Sequence, residues 1–199
     1  WTVQDSRQLF EDIASVVAYG DALTPPPPYF LGSIVLLDQG APDTASTIAT
    51  ADIVDGQQRL ITLSILIACL RDLDTGSQRE ALHGMLVRLE DADAYQVNLR
   101  DAALQRAFED SVLRPGATRR RATAANNDPT LVNIVTNRNL LLRELRTLTT
   151  DERRQLALYI RHSCRLLVMR TADIDYAYQI FLTINDRGLQ LTREDILRA

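Results

Sequence analysis

Apolar positions along this chain follow two different periods, and the change from one to the other marks its elements. Thr2 with Asp5 has the form of a capping box, and Leu9, Ile13, Val16 and Val17 then fall on one face, predicting an opening amphipathic helix. The prolines from Pro25 to Pro28 end it and act as a stiff connector, with a polyproline partner motif as the alternative. Tyr29 to Leu37 and Ile48 to Val54 are β-rich runs, separated by a polar stretch that suits neighbouring strands joined by a flexible loop. From Gln57 to about Asp72 the period becomes helical, and Leu60, Ile61, Leu63, Ile65, Leu66, Ile67 and Leu70 leave almost no polar side. Such a helix is expected at the centre of the molecule, packed on the sheet and covered by others.

Beyond that helix the pattern is mostly helical. Asp128 followed by Pro129 predicts an N-cap and a first-turn proline for a helix through Leu131, Ile134, Val135, Leu141 and Leu145. Thr150, Asp151 and Glu152 start another, and Arg165 to Arg170 reads as a strand returning to the sheet. Ala177, Ile180, Phe181 and Ile184 then mark one helix face ending near Asn185, where Gly188 suits the terminating position and Thr192 with Asp195 caps the next helix. These elements give a mixed α+β fold: a small sheet with a central buried helix, followed by a mainly helical region. The expected organisation is a core over 1–75, a helical insertion over 76–162, and a strand and helix over 163–199 that complete the core.

Composition narrows the function classes. With 199 residues and 46% hydrophobic content the chain can bury a core, and its longest apolar stretch, Leu63 to Leu70, is far too short to span a bilayer. Cys69 and Cys164 lie in apolar surroundings and read as core residues, which suits a reduced, cytoplasmic protein. A net charge of −4 disfavours nucleic-acid binding through overall positive charge, leaving local patches to do any such work. Arg119, Arg120 and Arg121 form the densest one, read as a solvated loop with a phosphate-backbone contact as the sharper alternative. His83 and His162 have no partners at metal-ligand or triad spacing, and no P-loop or nucleophile elbow occurs.

The segment that carries chemistry is Asp55, Gly56, Gln57, Gln58 and Arg59, set between a strand and the apolar helix. The first amides of a helix lack intrahelical acceptors and, with the helix dipole, attract an anion such as phosphate. Gly56 permits an unusual backbone and close approach, while Arg59 offers a planar fork of donors suited to phosphate oxygens. Gln57 and Gln58 can hold a water or a sugar hydroxyl. Asp55 has three roles open to it: holding Mg²⁺, orienting Arg59, or capping the helix. Spacing alone supports equally a plain N-cap at Asp55 and a solvated Arg59.

Read in full, IVDGQQRLITLSIL closely resembles the signature of the N-terminal domain family of GmrSD-type, modification-dependent restriction enzymes, which includes SspE-like sensors of phosphorothioate DNA. The segments beginning at Tyr29, Val97 and Ala177, the last ending in an Asn185-Asp186-Arg187-Gly188 turn, resemble further parts of that family in the same order, and Trp1 resembles a tryptophan that follows a Pro-Tyr-Gln-Arg-containing segment. That preceding segment is expected to form a strand contributing to the pocket, and an HNH-type nuclease domain is expected downstream.

The resemblance implies a ParB/sulfiredoxin-like fold, in which a helix-start arginine grips nucleotide phosphate. Sulfiredoxin chemistry needs a cysteine where Gln57 and Gln58 stand, which disfavours a redox enzyme. The first hypothesis is therefore an anti-phage regulatory NTPase that controls a nuclease acting on modified DNA, with Asp55, Gln57, Gln58 and Arg59 catalytic and all five motif residues binding nucleotide. GTP, ATP, CTP and UTP are not distinguished, Mg²⁺ is the candidate metal, and a homo-oligomer is allowed. Two alternatives are a nucleotide- or DNA-phosphate-binding module without turnover, and an interaction domain whose motif is structural.

Overall fold

The computed structural model describes residues 2–19, 26–38, 51–88, 91, 94–120 and 128–186. Its elements are α1 (Val3–Tyr19), β1 (Tyr29–Asp38), β2 (Ala51–Asp55), α2 (Gln57–Leu73), α3 (Gln78–Gly84) and α4 (Ala102–Phe108). A π-helical turn (Glu109–Leu113) and a 3-10 turn (Ala117–Arg119) follow, then α5 (Pro129–Thr147), α6 (Thr150–His162), β3 (Cys164–Thr171) and α7 (Ile174–Asp186). The expected α+β class is what the chain adopts: a three-stranded sheet in the order β2-β1-β3, with helices making up most of the rest. The chain forms two compact units, Trp1–Phe30 with Gln58–Arg165, and Leu31–Gln57 with Leu166–Ala199.

The first unit is helical. Thr2 and Asp5 close the capping box of α1: the Thr2 amide donates to Asp5 Oδ2 at 2.6 Å and the Asp5 amide to Thr2 Oγ1 at 3.3 Å. Leu9, Phe10 and Ile13 then bury the face of α1 that meets α5 and α6. Asp128 caps α5 as its sequence predicts, accepting from the amides of Thr130 at 2.8 Å and Leu131 at 3.1 Å ahead of Pro129. In α6 the cap is Thr149, which forms a reciprocal capping box with Glu152.

All of α2 from Ile61 to Asp72 is buried, so the apolar run has no solvent-facing stripe. A side chain such as Leu66, fully buried in the middle of that run, has solvent on no side.

The second unit is built on the sheet. β1 and β2 pair antiparallel, with Leu36 opposite Ile53, Leu37 opposite Asp52 and Asp38 opposite Ala51. Arg170 of β3 pairs with Asp38 of β1, its Nε 3.0 Å from Oδ1. α7 begins at Ile174, ahead of the first apolar marker Ala177, because the Asp173 carboxylate accepts from the Asp175 and Tyr176 amides at 2.8 and 3.2 Å. Ala177 is buried and Ile180 half-buried, in keeping with one inward face.

Cys69 is buried, but Cys164 is only partly so, because it opens β3 rather than sitting inside a core. Trp1, Pro25, residues 39–50, Arg121, Arg187, Gly188, Thr192 and Asp195 lie outside the described residues. Among the described residues, no helix is long and apolar enough to cross a membrane.

Candidate nucleotide-binding turn and a buried arginine network

The motif begins on β2, and the ladder changes register just before it. Leu36 faces Ile53 but Val35 faces Asp55, so one extra β2 residue, Val54, has no partner of its own. Such a bulge re-aims the residues that follow it, here Asp55 at the end of the strand. Among the described residues the Asp55 carboxylate accepts no hydrogen bond and forms no ion pair, which removes the N-cap role considered for it. Gly56 occupies the position before α2 and has no side chain with which to cap.

Gly56 is fixed in place by two separate requirements. Its φ is +89°, a backbone conformation that side-chain-bearing residues rarely adopt. A Cβ there would overlap the Ile34 Cγ2 methyl and stand 3.1 Å from the Ser33 carbonyl oxygen. Ile34 and Ser33 are both buried, so neither can easily move aside. Gln57 folds back and donates from Nε2 to the Ile53 carbonyl at 2.8 Å, joining the helix start to the strand end.

Asp55, Gly56 and Gln57 belong to the sheet unit, and Gln58 and Arg59 open the helical one. Gln58 is exposed and Arg59 partly buried. The five residues are thus consecutive along a strand end, a left-handed glycine and the first turn of a 17-residue helix. The first-turn amides of such a helix have no acceptors within it.

The whole of residues 1–199 matches the family described as the GmrSD restriction endonuclease, N-terminal domain. The chain belongs to that family. No curated protein and no solved structure matches it. Membership makes the chain a module associated with a restriction endonuclease, within the setting of restriction and anti-phage defence.

The pattern of the sequence does not reveal a heavily bonded polar cluster among the described residues of this GmrSD-family chain. Arg71 and Asp72, at the end of α2, are both fully buried, with Arg71 Nε 2.8 Å from Asp72 Oδ1. The remaining Arg71 donors reach the carbonyls of Leu113 at 2.6 Å, Arg114 at 2.9 Å and Val112 at 3.3 Å, and His83 Nδ1 at 3.4 Å. Asp72 accepts from the amides of Gly116 at 2.9 Å and Thr118 at 3.0 Å, and from the Thr118 hydroxyl at 2.8 Å. Arg119, from the expected solvated cluster, is exposed yet donates its Nε to the Asp72 carbonyl.

A second buried arginine, Arg138, donates to the carbonyls of Ser111 at 3.0 Å and Arg120 at 3.2 Å. Together the two guanidinium groups take up carbonyls that the π-helical turn and its exit would otherwise leave bare. Burial alone would raise the Asp72 carboxyl, but the hydrogen bonds from Arg71, Gly116 and Thr118 and the Arg71 charge hold it below the usual carboxylate range. Burial, and then the Arg71 charge, lower the His83 imidazole. The only sequence signal for this cluster is two charged residues adjoining the apolar run of α2, which looks the same as a helix end reaching solvent.

Proposed function

We propose that this chain is the nucleotide-responsive module of a restriction enzyme: it binds a nucleoside triphosphate at the β2-α2 turn, hydrolyses it, and thereby governs a nuclease directed at modified DNA. The observation that carries the reading is Gly56. Its positive φ and the space denied to a Cβ mean that the turn accepts glycine alone, directly between a bulged strand and a long helix start. A strand end that passes through such a glycine directly into a long helix start is the backbone order of phosphate-binding turns.

In this reading the amides after Gly56 and the Arg59 guanidinium hold the phosphates, with Arg59 also offsetting charge that develops on the transferred phosphoryl group. Gln58, exposed beside them, orients the attacking water; Gln57, whose amide nitrogen is committed to the Ile53 carbonyl, keeps its oxygen for the same task or for a sugar hydroxyl. Asp55 has a carboxylate without a partner among the described residues, which fits a Mg²⁺ ion that one protein carboxylate shares with substrate phosphates. When bound, that ion would neutralise phosphate charge.

Membership of the GmrSD endonuclease family supports the link to a nuclease and to DNA. Incubation of the purified protein with Mg²⁺ and each of ATP, GTP, CTP and UTP tests the proposal. Phosphate release with at least one of them, lost in Arg59→Ala, is the expected result. Tight binding without release would make the turn a ligand-operated switch rather than a catalyst.

A further inference from the structure

Within the helical unit a cleft of about 370 Å³ lies between α3 and Pro115, the residue that follows the exit of the π-helical turn. It shares no residue with the motif at 55–59. Its volume falls within the range of about 300–1,000 Å³ common for small-molecule sites. Arg71 forms part of its wall and ties the two sides together, donating from one terminal nitrogen to the Leu113 carbonyl at 2.6 Å and lying 3.4 Å from His83 Nδ1. Every Arg71 N–H is engaged within the protein, so this buried cation positions the cleft and leaves recognition to other groups.

Those other groups are Ser77, Arg79, Glu80 and His83. Arginine can only donate, so the contact with Arg71 makes His83 Nδ1 the acceptor and puts the proton of the neutral ring on Nε2. Arg79 and Glu80 are exposed neighbours that do not pair with each other, and neither side chain has a hydrogen bond or ion pair among the described residues. The Ser77 hydroxyl, at the start of α3, caps no amide. The cleft therefore offers an unpaired guanidinium and an N–H donor, an unpaired carboxylate and a hydroxyl, with a proline ring as the apolar side.

We propose that this cleft is a second ligand site, for a small phosphorylated polyol. Arg79 and His83 Nε2–H take the phosphate, Glu80 and Ser77 accept from the hydroxyl groups, and Pro115 covers the carbon skeleton. A bare phosphate leaves Glu80 and Ser77 unused.

The chain has two histidines, so ring resonances of His83 are read directly in the full protein, with the exposed His162 as an internal control. Ribose 5-phosphate, inorganic phosphate and ribose are the probes. Ribose 5-phosphate is expected to shift His83 saturably in the low-millimolar range or below while leaving His162 in place. Inorganic phosphate should bind more weakly, and ribose should give no saturable shift. Arg79→Gln, a change at an exposed side chain, should weaken ribose 5-phosphate binding about tenfold or more, as expected for loss of a charge-assisted contact. Arg59→Ala should leave it unchanged, which keeps this site distinct from the turn at 55–59. Absence of a saturable His83 shift, equal binding by Arg79→Gln, or loss of binding in Arg59→Ala would each overturn the proposal.

Discussion

In the proposed function Gly56 and Arg59 have different parts, and they are expected to fail in different ways. Alanine at Gly56 must adopt φ near +89° while its methyl presses on Ile34 and the Ser33 carbonyl, so the native turn opens or the strand end shifts. Gly56→Ala is expected to cost about 1–3 kcal/mol of stability, measured by chemical denaturation; an unchanged midpoint would show that the turn is relaxed. Arg59→Ala should leave unfolding almost as it is, while nucleotide affinity or turnover falls by about 2 kcal/mol or more through loss of a charge-assisted phosphate contact. Asp72 is the opposite case, structural and remote from this chemistry. Asp72→Asn leaves Arg71 buried without its counter-charge and weakens the acceptor for Gly116 and Thr118, so a loss of about 3–5 kcal/mol is expected. Denaturation of this variant within 1 kcal/mol or so of the parent would mean that the carbonyl ligands alone sustain Arg71.

At the level of elements, α2 is the part most exposed to mutation. Leu66 is fully buried in the middle of a run with no polar side, and Leu66→Ala should lose about 2–5 kcal/mol; a loss under 1 kcal/mol would mean that its neighbours collapse into the space. The strength of the same pattern explains what could be read from the sequence. Period and caps act locally, so the Thr2–Asp5 box, the Asp128-Pro129 start, both long strands and the extent of α2 were all visible in neighbouring residues. The bulge at Val54 could not be seen, because register belongs to two strands together. Nor could the π-helical turn, which depends on carbonyls from Ser111 to Arg114 meeting arginines some 27 to 43 positions away. For the candidate site, the order of residue types and the unusual backbone at Gly56 were legible, and the steric exclusion of a Cβ there was not, since Ile34 and Ser33 lie on a different strand.

Across the whole molecule, two groups of the arginine network, His83 and Asp72, couple folding to acidity with the same sign. The folded state holds His83 below its ordinary value, through burial first and the Arg71 charge second, so on acidification the unfolded chain takes the proton earlier. That stabilisation is complete above the unfolded histidine value of about 6.5 and fades as pH falls through the folded one. Asp72, also held low, contributes above the unfolded carboxylate value of about 4 and fades below it. The melting temperature is therefore expected to fall between about pH 7.5 and 5, and His83→Gln should flatten that fall while leaving the steeper loss below about pH 4. Parallel profiles for the two proteins would place the upper transition on other groups. The central claim is that the β2-α2 turn handles a nucleoside triphosphate, and the most direct measurement is phosphate release with Mg²⁺ and each of the four common nucleotides, run side by side on the wild-type protein and Arg59→Ala. The account predicts turnover of at least one nucleotide by the wild type and its loss in a variant with the same melting profile. A folded wild type that neither binds nor hydrolyses any of the four, or a variant that matches it, would contradict the account.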